Sequence, residues 1–155
     1  MFEKILVPLD GSEHSQKALD CALQISKKFN GKVTLLHVYS VTVPPVVMPE
    51  PATLTPAGVP VPGSTEVSKL IEGLREAGRK MFFDAEQQAN SAEVEAETVL
   101  REGNAVQEIV KTAKEGEYGL VVMGARGMHR IKELLMGNVS ESVIKNAPCP
   151  VLVVK

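Results

Sequence analysis

The chain contains no tryptophan, and aromatic residues make up only 4% of its 155 residues. A core built from it must be filled by Val, Leu, Ile, Ala and Met, as in many α/β proteins. Cysteine is nearly absent: Cys21 and Cys149 stand in no CxxC or metal-ligand spacing and read as free thiols, packed rather than catalytic. His14, His37 and His129 lie far apart without a matching carboxylate and cysteine pattern, which argues against a structural zinc. Neither sign of charge dominates. With 17 Lys and Arg against 19 Asp and Glu, the net charge is -2, so there is no basic footprint for nucleic acid and no basic face for a membrane. No apolar run approaches the roughly 20 residues that cross a bilayer. The opening MFEKILVPLDG has no charged segment and cleavage site flanking an apolar stretch, so the expected location is the cytoplasm. The length suits one domain over residues 1–155 with a core of respectable size.

What is present is alternation. Residues 4–9, KILVPL, read as a first strand that ends at Asp10-Gly11-Ser12. Ser12 can cap a helix whose apolar positions, Ala18, Leu19, Ala22, Ile25 and Phe29, recur at helical spacing until Asn30-Gly31 ends it. Residues 32–39, KVTLLHVY, are rich in β-branched side chains and form the second strand. Strand, helix and strand in this order make a βαβ unit, with parallel strands and a right-handed crossover.

Residues 41–63 break the pattern. They hold seven of the ten prolines and one charge, Glu50, which excludes a helix or an interior strand. The segment reads as a long loop inserted after the second strand. Its valines make full solvation unfavourable, so one reading is a lid over a site or a wrap onto a partner subunit; the other is a disordered insertion. Alternation then resumes. Residues 64–89 carry Val67, Leu70, Ile71, Leu74, Met81, Phe82 and Ala85 at helical spacing, weakened slightly by Gly73 and Gly78. Residues 95–100 alternate as a third strand. Asn104 with Gln107 begins a helix that buries Val106, Ile109, Val110 and Ala113, and Gly116 closes it.

The chain is organised around residues 118–140. Leu120, Val121, Val122 and Met123 form an uncharged run suited to a strand buried on both faces of a parallel sheet. Three glycines follow, Gly124, Gly127 and Gly137, separated by two and then nine residues. Glycine tolerates unusual backbone angles and lets an anion approach main-chain N–H groups. Asn138, with Glu141 three residues on, is expected to cap a helix over residues 138–146 close to a capping box, and a helix start behind a glycine suits phosphate. Equally, Gly124 and Gly127 can simply turn the chain after a strand. Val151, Leu152, Val153 and Val154 make the last strand, entered through Pro148 and Pro150.

Five strands alternating with helices imply a doubly wound parallel sheet, whose ligands bind outside the carboxyl ends of the strands where the winding reverses. If the first and fourth strands are neighbours there, Asp10 faces the glycine loop. Asp10 can also serve as an Asx turn with Gly11 and Ser12. Arg126 and His129 lie in the glycine loop, within reach of phosphate oxygens or simply solvated; His37 reads as a satisfied structural histidine, and Glu13 and His14 as exposed first-turn residues.

VPLDGS at the end of strand one, LLHV in strand two, GARG followed nine residues later by GNVS, and the ending CPVLVV together resemble the universal stress protein family in its ATP-binding branch. The resemblance covers nearly the whole chain outside the proline-rich loop. It implies a Rossmann-like α/β fold with a five-stranded sheet in the order 3-2-1-4-5, helices on both faces, a homodimer, and one nucleotide per subunit. By resemblance, Asp10 corresponds to the acidic residue near the ribose and metal, here Mg²⁺ held with the phosphates. Pro8 and Leu9 match the adenine wall, and Val38 matches the position whose backbone meets the adenine edge. Met123 and Gly124 match the end of strand four, Gly127 the middle glycine, and Gly137, Val139 and Ser140 the phosphate turn. Asn138 departs from the Ser or Thr preferred after the last glycine; it retains a side-chain N–H donor and loses the small hydroxyl.

The chain has no GxxxxGK[ST] loop, no HxGH or KMSKS-like pattern and no SGGxDS loop, so no catalyst is evident. The expectation is a dimeric nucleotide-binding regulatory protein, with ATP (or ADP or AMP) and Mg²⁺ setting its state and hydrolysis slow or absent. The alternatives are an interaction module without nucleotide and a slow ATP hydrolase using Asp10 and a metal. Dimerisation is expected through the short, apolar terminal strand Val151–Val154, a sheet edge that invites another chain.

Overall fold

Strand Lys4–Pro8 (β1) lies at the centre of a five-stranded parallel sheet, with β2 (Lys32–Tyr39) and β3 (Ala96–Glu102) to one side and β4 (Leu120–Gly124) and β5 (Val151–Val154) to the other. The order β3-β2-β1-β4-β5 is the expected one. The computed structural model describes residues 2–41, 62–127 and 136–155, with side chains from residue 67 onward in the second helix. The proline-rich stretch therefore falls outside the described residues except at its two ends, as does His129. Helix α2 begins at Pro62, so the last two residues of the expected loop are helical; proline suits a first helical position, where its missing N–H costs nothing.

The helices cover both faces. On one, α1 (Glu13–Phe29) and α2 (Pro62–Ser91) bury Leu19, Ala22, Phe82 and Ala89 against Ile5, Val7, Val33, Leu35 and Val122. On the other, α3 (Ala105–Glu115) and α4 (Asn138–Asn146) set Ile109, Ala113 and Val143 against Leu6, Leu36, Val121 and Met123. Strand residues of alternating parity feed the two cores, so the central strands carry unbroken buried apolar runs, Ile5 to Val7 in β1 and Leu120 to Met123 in β4. Both cysteines are half-buried at the margins of these cores. Among the described residues, no helix is long and apolar enough to cross a membrane.

Local signals set most boundaries. Ser12 accepts a hydrogen bond from the Ser15 N–H (3.1 Å) and Asn104 from the Gln107 N–H (3.2 Å), the N-caps expected of them. Asn30 takes the left-handed conformation (φ 52°) and closes α1. β3 runs two residues past its expected end because its register with β2 continues through Tyr39↔Glu102, and the Gly103 N–H donates to the Tyr39 carbonyl. Gly116 does end α3, but at φ -87°, and Glu117 is the residue that turns left-handed (φ 53°). Gly116 is glycine for space: a Cβ there would collide with the Tyr118 ring.

Candidate functional site

The sheet opens between β1 and β4. The Leu9 N–H donates to the Leu36 carbonyl of β2 at 2.8 Å, so by alternation residue 8 presents its main chain to β4. Residue 8 is proline and has no N–H to offer. The register of β1 with β4 accordingly ends at Leu6↔Val121, and the two strands part at their carboxyl ends. In the order β3-β2-β1-β4-β5 this parting is the switch point, where doubly wound sheets hold their ligands.

Asp10 stands at that opening in two roles. Its Oδ1 accepts the Ser12 N–H at 3.0 Å, an Asx turn assisted by Gly11 at φ 79°. Its Oδ2 faces Gly127: a Cβ built on that glycine would lie 2.6 Å from it. The turn and the approach to the glycine loop are thus one arrangement. Ser12 joins the two segments a second time, its hydroxyl donating to the Arg126 carbonyl at 3.3 Å.

The three glycines give room rather than backbone angle, since none of them lies in the left-handed region; the need is sharpest at Gly124, whereas a Cβ on Gly137 would lie 3.3 Å from the Ala125 carbonyl oxygen, a tight approach that a small shift relieves. A Cβ on Gly124 would fall 2.7 Å from the His14 carbonyl carbon and 2.8 Å from the Ser15 nitrogen, so this glycine admits the first turn of α1 against the end of β4. Gly137 donates its N–H to the Ala125 carbonyl at 2.8 Å, which draws the start of α4 back to the end of β4.

Helix α4 is capped differently from the expectation. Its N-cap is Gly137, which makes no side-chain cap bond, and Asn138 is the exposed first helical residue. The reason lies in Ser140, buried at 2% exposure, whose hydroxyl is placed 2.9 Å from both the Ala125 and Gly137 carbonyls and pins the turn from inside. Glu141 does not reach back to form a capping box. It points along the helix to Lys145 (2.7 Å), whose ammonium lowers the Glu141 carboxyl below the usual carboxylate range. Gly137 supplies the first N–H groups of α4 with no side-chain acceptor of the kind that Ser12 and Asn104 supply to α1 and α3.

Of the residues singled out in the sequence, Pro8, Leu9, Asp10, Met123, Gly124, Arg126, Gly127, Gly137, Asn138, Val139 and Ser140 gather around the ends of β1 and β4 and the start of α4. Leu9 and Met123 are core residues at 5% exposure. Val38 lies one strand over, half-buried near the end of β2. His37 is satisfied, as expected, by the Leu9 carbonyl at 2.8 Å. His14 departs from expectation: it is half-buried, and its Nδ1 is buried without a hydrogen-bond partner among the described residues. Ala125 and Ser12 were not singled out as site residues, although both tie the glycine loop together. Their signal lies in contacts across more than a hundred residues or through the main chain, which no local pattern carries. Among the described residues no three His, Cys, Asp or Glu side chains are grouped to hold a metal ion.

A parallel sheet with helices on both faces and a glycine loop at the switch point defines a doubly wound, Rossmann-like α/β protein. Comparison with known proteins narrows this class. The family model described as the universal stress protein family matches residues 1–155, and the chain belongs to that family. Universal stress protein YxiE of Bacillus subtilis is 33% identical over 155 residues, all of both chains. Universal stress protein MJ0531 of Methanocaldococcus jannaschii is 37% identical over 155 residues, covering all of this chain and 83% of its own. Among solved structures, a universal stress protein in complex with cAMP matches with a TM-score of 0.69 and 26% identity over 99% of this chain and 97% of that one.

Proposed function

We propose that the opening between β1 and β4 binds an adenine nucleotide, ATP foremost with ADP or AMP in its place, together with Mg²⁺, and that the bound nucleotide sets the state of a dimeric stress-response regulator. Hydrolysis is slow or absent in this reading. The observation that carries it is the Asp10 carboxylate held against Gly127 at the switch point, a polar group and an anion-accessible backbone brought together from opposite ends of the chain.

The start of α4 supports the phosphate half. Its N-terminal N–H groups, with Gly137 in front and no side-chain cap, match what an anion seeks at a helix start. In this reading Gly124, Arg126, Gly127, Gly137, Asn138, Val139 and Ser140 surround the phosphates, with Met123 at the end of β4 behind them. Pro8 and Leu9 wall the base, the Val38 main chain meets its edge, and Asp10 takes the ribose and the metal. One carboxylate suits Mg²⁺, which retains waters and draws its remaining ligands from phosphates. The relative in complex with cAMP carries an adenine nucleotide and supports the choice of base.

The test is mass spectrometry of ligand released on denaturing freshly purified protein, with calorimetric titration of ATP, ADP and AMP in the presence of Mg²⁺. Recovered adenine nucleotide, or saturable binding with a preference among the three, is the expected result. A chain that arrives empty and gives no heat with any of them overturns the reading.

A further inference from the structure

The rungs between β1 and β2 end in an unusual way. The Leu36 carbonyl accepts from the Leu9 N–H, so the main chain of Leu36 faces β1; the Tyr39 carbonyl accepts from the Gly103 N–H, so that of Tyr39 faces β3. By alternation, the N–H and carbonyl of Val38 face β1. In a regular parallel ladder the next rung would run from the Val38 N–H to the Leu9 carbonyl. That carbonyl instead takes its hydrogen bond from the His37 side chain, Nδ1 to oxygen 2.8 Å. A carbonyl oxygen only accepts, so Nδ1 carries the proton.

The imidazole is held for this task. Helix α2 passes so close that a Cβ on Gly78 would lie 3.0 Å from His37 Cδ2 and 3.0 Å from Leu100 Cδ1. On the same face the Phe82 ring meets the imidazole edge-on, centroids 6.4 Å apart at 85°. Among the described residues the ring thus has one polar contact, directed at a main-chain carbonyl that belongs to the peptide leading into Asp10.

We infer that His37 is a positioning residue for nucleotide recognition: by occupying the Leu9 carbonyl it keeps the Val38 peptide out of the β1–β2 ladder, open to the donor-and-acceptor edge of an adenine, and fixes the peptide that aims Asp10. The inference rests on the nucleotide reading above and adds the source of its base selectivity. A main-chain N–H beside a carbonyl is complementary to the adenine N1 acceptor and its amino donor. Guanine presents the reverse polarity, a ring N–H donor beside a carbonyl acceptor. Sites that hydrogen-bond a ligand group discriminate strongly against analogues that misplace it.

The variants are His37→Leu, which keeps an apolar side chain of similar size and removes the donor, and His37→Asn, whose amide N–H stands near the position of Nδ1. Affinities for ATP and GTP are measured for each by calorimetry, because their ratio does not depend on the fraction of folded protein. In His37→Leu the ATP-to-GTP preference is expected to fall about tenfold, and in His37→Asn to stay within about threefold of wild type. An unchanged ratio in His37→Leu overturns the inference, since a merely structural histidine would alter stability and leave selectivity intact. If His37→Leu does not fold, amide exchange on the wild-type chain decides. A Val38 amide that exchanges fast without ligand and slows with ATP supports the inference, and one already protected without ligand overturns it. A wild-type chain that binds no adenine nucleotide overturns the underlying reading and this inference with it, a result read before any variant is made.

Discussion

The Asp10 carboxylate and Gly127 are matched by exclusion: the space that a Cβ would occupy on Gly127 ends 2.6 Å from Asp10 Oδ2. The contact is with the far end of a short side chain, and Gly127 needs no left-handed angle. Replacing it with Ala or Val should therefore displace the carboxylate more than the fold. We expect Gly127→Val to change stability by about 1 kcal/mol or less while nucleotide affinity falls below detection, read by urea denaturation and calorimetry on the same preparation. Undiminished ATP affinity would sink the assignment of this glycine to the site.

Gly124 makes the opposite case. Its missing Cβ would strike the main chain of His14 and Ser15, and main chain at a helix start has little room to yield. Gly124→Ala is expected to cost about 1–3 kcal/mol, as overpacking does in well-filled interiors. A urea midpoint equal to wild type would show that α1 can slide away from β4 freely.

Away from the site, the Tyr118 hydroxyl donates to Thr34 Oγ1 at 2.9 Å, and Thr34 donates to Glu97 at 2.8 Å. Tyr118→Phe removes one donor and leaves Thr34 its acceptor, a loss of about 1 kcal/mol. Thr34→Val leaves a buried phenol without a partner and should cost more, about 1–3 kcal/mol. The double variant is then less destabilised than the sum of the two, which a double-mutant cycle measures. Strict additivity would mean that the chain of bonds contributes nothing as a unit.

How much of this was legible in the sequence follows from the range of each interaction. Ser12 and Asn104 cap their helices through residues three positions on, and the apolar periodicity of each element is local, so the elements and their succession along the chain could be read directly, while the sheet order 3-2-1-4-5 came only through the family resemblance. By the same logic Asn138 is the expected cap of α4. It loses that position to Gly137 because the entry to α4 is set by the Gly137 N–H on Ala125 and by Ser140 beneath the turn, contacts made only once β4 is in place. The candidate residues were legible as types, but not the reason for their glycines: space against Asp10, His14 and Ala125 depends on the packing of α1 on β4. The His37 bond to Leu9 is likewise a cross-strand contact with no counterpart in local spacing.

Burial pushes both the Cys149 thiol and the Tyr118 phenol up, each partly offset by a hydrogen bond, from Val121 and with Thr34 respectively. Groups raised in the folded state remain protonated where the unfolded chain has released its protons. Their contribution is present below the unfolded values, roughly pH 8.5 for the thiol and 10 for the phenol, and is lost as pH rises through the folded ones. Stability should decline from about pH 8.5 upward, with Cys149→Ala flattening the first part of the decline and Tyr118→Phe the later part. Chemical denaturation between pH 7 and about 10.5 measures this. A flat profile in the wild type would contradict the burial of both groups.

Strand β5 has β4 on one side and, among the described residues, no strand on the other. An unpaired edge of apolar residues is a template for a second chain. Leu152 at 36% exposure, with Val139 and Ile144 of α4 at 40% and 42%, leaves apolar side chains on the outer elements of this half of the fold. Pairing of two β5 strands about a two-fold axis would satisfy the edge in both copies at once. Wild-type protein is accordingly expected to sediment as a dimer at micromolar concentration, and Leu152→Glu as a monomer with unchanged circular dichroism. Nucleotide affinity should survive that substitution, because Leu152 lies outside the opening between β1 and β4. A wild-type chain that sediments at single-chain mass would exclude the dimer, and a Leu152→Glu dimer would move the interface away from β5.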